Sequence, residues 1–196
     1  LYRQTIDLLK ELSKIPCANY LANYSYKIFN SELDIFLNWY FFFKTKKDSA
    51  FINEWNLIWG DYYKVLKKSK LKTTVLRDFH IDNLFFLENR VGIKKIGLID
   101  FQDALYGHYC YDLVSLLQDV RTFIPFNKQK FLYNYYLSIN NISEKNFEDS
   151  YFIFGTQRLL KILGIFNRLK HRDKKNKYFK YIPRTLKLIK RNLDYP

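Results

Sequence analysis

Val75-Leu76-Arg77-Asp78-Phe79-His80-Ile81-Asp82-Asn83, followed further along by Gly97-Leu98-Ile99-Asp100-Phe101, is the stretch on which the reading of this chain turns. Two apolar runs, Leu84–Leu87 and Ile96–Ile99, flank a polar, Gly-containing segment and read as a β-hairpin. With Glu88 opposite Lys95, antiparallel pairing sets Leu84 against Ile99 and Asn83 against Asp100. Opposed residues of paired strands lie roughly 4.5–5.5 Å apart at Cα, so an amide oxygen and a carboxylate arrive at one open end of the hairpin. Hard oxygen donors of that kind suit Mg²⁺, which takes its remaining ligands from water and substrate phosphates. Asp78 enters the same hairpin five residues before Asn83, where its carboxylate can take a proton from a hydroxyl nucleophile.

Taken singly, a loop aspartate such as Asp78 or Asp100 is more often a turn or cap residue than a catalyst. The joint register with Asn83 is what points to chemistry. Arg-Asp-x4-Asn followed by a strand pair ending in Asp-Phe is the catalytic-loop and metal-loop signature of kinase-like folds, and phosphoryl transfer asks of a protein mainly positioning and electrostatics.

Working outward, the flanks read as helix. Leu8, Leu9, Leu12 and Ile15 recur at helical spacing until Pro16. Ser31 is the expected N-cap of a second helix through Phe36, Leu37, Tyr40 and Phe41, with Asp34 near its start. Asp48 is the expected cap of a third, with Phe51, Trp55, Ile58, Trp59 and Tyr62 on one side and Gly60 as a weak point. Thr73–Leu76 is β-prone. Beyond Gly107 the pattern returns to helix over 111–120, 128–139, 147–169 and 184–193, with a solvated basic connection over 170–180. The fold class expected is mostly α with a small β-hairpin (α+β). Residues 1–196 read as a single domain.

Composition sets the bounds. The 196 residues are 48% hydrophobic, with 17 Tyr and 18 Phe, which describes a packed globular interior. No apolar run approaches the ~20 residues of a membrane span, and Arg3, Asp7, Lys10 and Glu11 interrupt the first apolar stretch, unlike a signal peptide. Cys17 and Cys110 form neither a CxxC pair nor a framework, so a cytoplasmic setting is expected. His80, His108 and His171 lack ligand spacing and read as packing or surface residues. The formal charge of +14 invites a nucleic-acid reading. Abundant Lys, Asn, Ile, Phe and Tyr with only 6 Gly and 4 Pro is, however, the bias an AT-rich coding sequence produces. The chain contains no methionine and starts at Leu1, which reads as part of something longer or a trimmed piece.

The stretch Arg77–Leu84, with Gly97-Leu98-Ile99-Asp100-Phe101-Gln102-Asp103-Ala104 and the run from Tyr111 to Arg121, resembles the aminoglycoside phosphotransferase/choline kinase superfamily. Within it the chain is most similar to the bacterial N-acetylmuramate/N-acetylglucosamine anomeric kinases of cell-wall sugar recycling, a likeness that Gln157 to Leu169 extends. The resemblance implies the C-terminal lobe of a protein kinase-like fold and a kinase that uses ATP and Mg²⁺. It implies Asp78 as catalytic base, Asn83 and Asp100 as metal ligands, and Asp112 as the carboxylate that braces the catalytic loop through backbone hydrogen bonds. Arg77, His80 and Asp103 fall in motif positions without a definite duty, and Leu76 stands where many relatives have His. Such enzymes carry an N-terminal lobe with a phosphate-covering loop and a lysine. Nothing in this chain reads as that lobe, so it is expected in the parent chain and activity is expected only with it. The expected partners are a small-molecule substrate and a nucleotide, with no membrane and no nucleic acid. Two other readings stay open: a basic helical nucleic-acid-binding module with a relic kinase motif, and a kinase for choline or an aminoglycoside.

Overall fold

The computed structural model describes residues 1–43 and 45–195, with the Asn146 side chain left aside. In chain order the elements are α1 (Tyr2–Lys14), α2 (Tyr26–Phe36), α3 (Ser49–Lys68), β1 (Lys72–Val75), β2 (Leu84–Phe86), β3 (Ile96–Leu98), β4 (Leu105–His108), α4 (Cys110–Leu117), α5 (Phe126–Asn140), α6 (Glu148–His171) and α7 (Ile182–Leu193). The chain is therefore mostly helical, with small antiparallel sheets, as its sequence pattern predicts. They group into two compact units: Leu1–Tyr24 with Ser69–Tyr151, and Ser25–Lys68 with Phe152–Pro196.

The first unit carries both sheets. β1 pairs with β4, Val75 opposite Leu105 and Lys72 opposite His108, and β2 pairs with β3, Leu84 opposite Leu98. β4 is a strand that the sequence pattern did not suggest. Its Gly107 sits where a Cβ would come within 3.1 Å of Val75 Cγ2 and 3.2 Å of Tyr24 Cβ, so glycine lets three chain segments close together. Tyr106 also bonds to the segment after α1, giving its N–H to Ala22 O (2.9 Å) and accepting from Tyr24 N (2.8 Å). α1 ends where Ile15 turns extended (ψ 126°), the conformation that Pro16 imposes on the residue before it.

This pairing has one consequence for the site. β1 ends where β4 begins, and β2 begins where β3 ends. The connections 76–83 and 99–104 therefore both run between the same two sheet ends. The hairpin register differs by one residue from the expected one. Leu87 N–H donates to Lys95 O (2.8 Å) after a tight helical turn over Gly92–Lys95, and Ile99 N–H donates to Asn83 O (3.2 Å). Asn83 thus stands opposite Ile99, not Asp100, because the connection between the strands takes up Glu88 as well, one residue more of the first arm than the expected pairing allowed.

The second unit is helical. α2 starts at Ser25, whose Oγ accepts from Ile28 N (3.4 Å). The expected cap, Ser31, lies inside the helix and gives its hydroxyl to Ile28 O (2.8 Å). A wider helical turn over Leu37–Phe41 follows. Asp48 does cap α3, its carboxylate accepting from Ala50 N (2.9 Å), and Gly60 does not interrupt that helix. Of the expected α3 face Trp59 is buried, whereas Ile58 and Tyr62 are exposed. Phe29 is the centre of an aromatic cluster with Trp59, Tyr63 and Phe154, ring centroids 5.3–6.4 Å apart. α6 crosses α2 so closely that a Cβ on Gly164 would overlap the Ile35 carbonyl. Beside this crossing the buried Glu32 accepts from Lys161 Nζ (2.6 Å) and Gln157 Nε2 (2.9 Å), so its charge is both paired and hydrogen-bonded. Among 170–180, Arg172, Lys174, Lys175, Lys177 and Lys180 are exposed, as a solvated basic connection requires.

Candidate active site

The connection 76–83 mixes buried and more open residues. Leu76, Phe79 and His80 point inward, with Phe79 only 1% exposed, while Asp78 is half-buried and Asp82 exposed. Burying this much backbone demands partners for its amides. α4 supplies them. Asp112, in the first turn of α4 and 3% exposed, accepts from Leu76 N (2.7 Å) and Arg77 N (3.0 Å). Ser115, one turn on, donates its hydroxyl to Arg77 O (3.1 Å). Asp119, just past the end of α4, accepts from Ile81 N (3.3 Å). Arg77 itself holds a left-handed backbone (φ 69°), which costs a non-glycine residue roughly 1–2 kcal/mol and persists because both flanking peptides are pinned.

At the far end of this connection the Asn83 side chain is buried and oriented. Its Nδ2 donates to the main-chain oxygen of Asp78 (2.9 Å) and lies 3.4 Å from Asp100 Oδ2. A carbonyl can only accept, so the Asp78 oxygen fixes which end of the amide faces it. Oδ1, the hard oxygen, is then the atom on offer to a cation. Asp100 is exposed and also left-handed (φ 60°), which turns its carboxylate back toward Asn83 although Ile99 occupies the paired position. Gln102 Nε2 donates to the other carboxylate oxygen of Asp100 (2.7 Å).

The structure therefore brings Asn83, Asp100 and the main chain of Asp78 together, and sets Asp112 behind them. Asp103 is exposed in the turn that Ala104 N–H closes onto Phe101 O (3.2 Å), and His80 is a buried residue whose oxygen accepts from Asn83 N (2.9 Å). Among the described residues no three His, Cys, Asp or Glu side chains gather as a metal cage. One amide and one carboxylate match instead a cation that keeps waters and substrate phosphates among its ligands. Sequence reasoning passed over Gln102, Ser115, Asp119 and Arg121. The available signal was Asp112-x2-Ser115-x3-Asp119, a polar stripe at helical spacing within an otherwise apolar segment.

Among the described residues no helix is long and apolar enough to cross a membrane. Comparison with known proteins gives concordant results. The chain is 36% identical to the N-acetylmuramate/N-acetylglucosamine kinase of Caulobacter vibrioides over 77% of its own length and 42% of that protein's. It is 33% identical to the enzyme of the same name from Neisseria meningitidis serogroup B, over 96% of this chain and 57% of that one. The chain thus spans about half the length of these relatives. A choline/ethanolamine kinase family protein from Mesorhizobium loti has a similar fold, with a TM-score of 0.68 at 12% identity over 100% of this chain and 62% of that one. The model of the phosphotransferase enzyme family matches residues 1–138, well over half of the sequence, and the chain belongs to that family.

Proposed function

We propose that the protein carrying this chain transfers the γ-phosphoryl group of ATP to a hydroxyl of an amino sugar, N-acetylmuramate or N-acetylglucosamine. The observation that carries the reading is the meeting of Asn83 with both the Asp78 main chain and the Asp100 carboxylate. The sugar follows from the names of the relatives that match nearly the whole chain. Those relatives are longer, so the phosphate-covering loop and lysine that such kinases use would come from outside these 196 residues. The net charge of +14 favours approach of a polyanionic nucleotide.

In this reading Asp78 accepts the hydrogen bond of the acceptor hydroxyl and orients its oxygen toward the γ-phosphorus. A new O–P bond forms, the bond from phosphorus to the bridging oxygen breaks, and its electron pair leaves with ADP. The hydroxyl proton passes to the Asp78 carboxylate. Asn83 and Asp100 would hold Mg²⁺, which when bound neutralises charge on the phosphates. Asp112 holds the main chain at Leu76 and Arg77 so that the base does not drift.

Asp78→Asn tests this in the intact protein. Its main-chain oxygen, the atom that holds Asn83 and accepts from His80 N, is untouched, so the fold should melt as before. Turnover should fall by about 10²–10⁴. Near-normal kcat would remove Asp78 from the role of base. Absence of ATP-dependent phosphorylation of either sugar by the unaltered protein would overturn the substrate assignment.

A further inference from the structure

Asp119 and Arg121 have no part in the reaction described so far, yet Asp119 ends the polar stripe that holds the catalytic connection and Arg121 follows it by two residues. Asp119 is 2% exposed, and a buried carboxylate is tolerated only when it is paired and hydrogen-bonded. Its Oδ1 accepts from Arg121 N (3.0 Å) and Arg121 Nη1 (3.2 Å), and its Oδ2 accepts from Ile81 N (3.3 Å). Arg121 in turn reaches back to the connection, its Nε 3.0 Å from Asp82 Oδ2. Ile81, by its main chain, and Asp82, by its side chain, are thereby tied to one ion pair whose carboxylate is buried, immediately before Asn83.

Asp112 lies in the first turn of α4 and Asp119 two residues past its last, so the two carboxylates serve the connection from opposite ends of one helix. The first holds Leu76 and Arg77, ahead of Asp78. The second holds Ile81 and, through Arg121, Asp82, ahead of Asn83. We infer that Asp119, acting with Arg121, is a positioning residue for the metal-ligand half of the connection, separate in duty from Asp112, which positions the half that carries the base. Asp119 acts through Asn83, so its loss reads out in cation dependence and not in recognition of the sugar. The inference rests on the phosphoryl-transfer reading for its catalytic readout.

The test is Asp119→Asn in the intact protein, with kcat, acceptor KM and the half-saturating Mg²⁺ concentration measured alongside a thermal melt. Partners that orient a metal ligand typically change metal affinity by 10–100-fold when removed. Half-saturating Mg²⁺ should rise about tenfold, acceptor KM should stay within about twofold, and excess Mg²⁺ should restore most of kcat. A purely structural role would lower the active fraction at every Mg²⁺ concentration, and an unshifted Mg²⁺ curve overturns the inference. Asp82→Asn cuts the same tie at its exposed end and covers the case in which Asp119→Asn does not fold; its Mg²⁺ curve should shift by about threefold, and an unshifted one again counts against the tie. If the unaltered protein phosphorylates no sugar, the kinase reading has failed, and amide hydrogen exchange still decides the inference. In Asp82→Asn, exchange should quicken at Ile81 and Asn83 and not at Leu76 or Arg77. Equal exchange at all four would overturn it.

Discussion

The two connections that meet at the candidate site are held in opposite ways. Residues 76–83 are anchored by inward-facing Leu76, Phe79 and His80 and bonded along their length to Asp112, Ser115 and Asp119. Residues 99–103 are all exposed, and their hydrogen bonds run to Asn83 or within the loop: Ile99 N–H to Asn83 O, Asn83 Nδ2 to Asp100, Ala104 N–H to Phe101 O, and Gln102 to Asp100. Few buried contacts and solvent-exposed hydrogen bonds mark the low-stability end of a fold. Under the proposed mechanism the base and the buried ligand thus stand on fixed backbone, while the second carboxylate sits where it can adjust to its cation.

Each connection carries one phenylalanine, and the pair offers the sharpest way to break this contrast. Phe79 is 1% exposed and Phe101 is 55% exposed. Phe79→Ala should cost about 3–5 kcal/mol of stability in urea unfolding, from lost burial and the cavity it leaves. Phe101→Ala should change stability by less than about 0.5 kcal/mol. Equal costs would mean that the second connection is packed as firmly as the first.

The next effect in size is pH-dependent and enters through α4, the element that supports the first connection. His108 is 6% exposed, and its Nδ1 accepts from Cys110 N (3.1 Å) at the start of that helix. A main-chain N–H can only donate, so Nδ1 is unprotonated and Nε2, 2.8 Å from Ser69 Oγ, carries the hydrogen. Burial, aided by the Lys72 charge, lowers its pKa from 6.5 to about 4. Between those values the unfolded chain binds a proton that the folded chain does not. Stability from this group is therefore complete above pH 6.5 and falls as pH drops toward 4, by on the order of 3 kcal/mol. Unfolding curves of the protein and of His108→Gln should converge as pH falls through this window. A difference independent of pH would show that His108 is not held neutral.

Much of this was legible in the sequence, and the gaps have physical causes. Long periodic segments announced α1, α5, α6 and α7, because a helix records its buried face every three or four residues. Asn83 and Asp100 were legible as neighbours, since apolar runs of matching length on either side of a polar turn bring their outer ends together. The register was not, since it depends on how many residues the connection between the strands consumes. β4 escaped because Leu105-Tyr106-Gly107-His108 is too short to show a period and exists as a strand only against β1. The start of α2 was misplaced because Ser25 and Ser31 are equally good caps in isolation, and only the fold decides between them. The bracing by Asp119 and Arg121 was illegible for the same reason: their partners, Ile81 and Asp82 respectively, lie 38 and 39 residues away in sequence.

The smallest effect tests the looser connection from within. Gln102 Nε2 holds one oxygen of Asp100 at 2.7 Å, and both residues are exposed, so water can replace that bond at little cost. Gln102→Ala should leave the melting midpoint unchanged within about 1–2 °C, as a surface substitution with no buried partner does. If Asp100 ligates the cation, however, the amide limits which carboxylate orientations compete with that ligation. Its loss should raise half-saturating Mg²⁺ about two- to threefold, less than the shift expected for Asp119→Asn, because a surface carboxylate reorients cheaply whereas a buried backbone does not. A larger shift for Gln102→Ala than for Asp119→Asn would reverse the contrast between the two connections. It would place the control of the cation on the exposed loop instead of on α4.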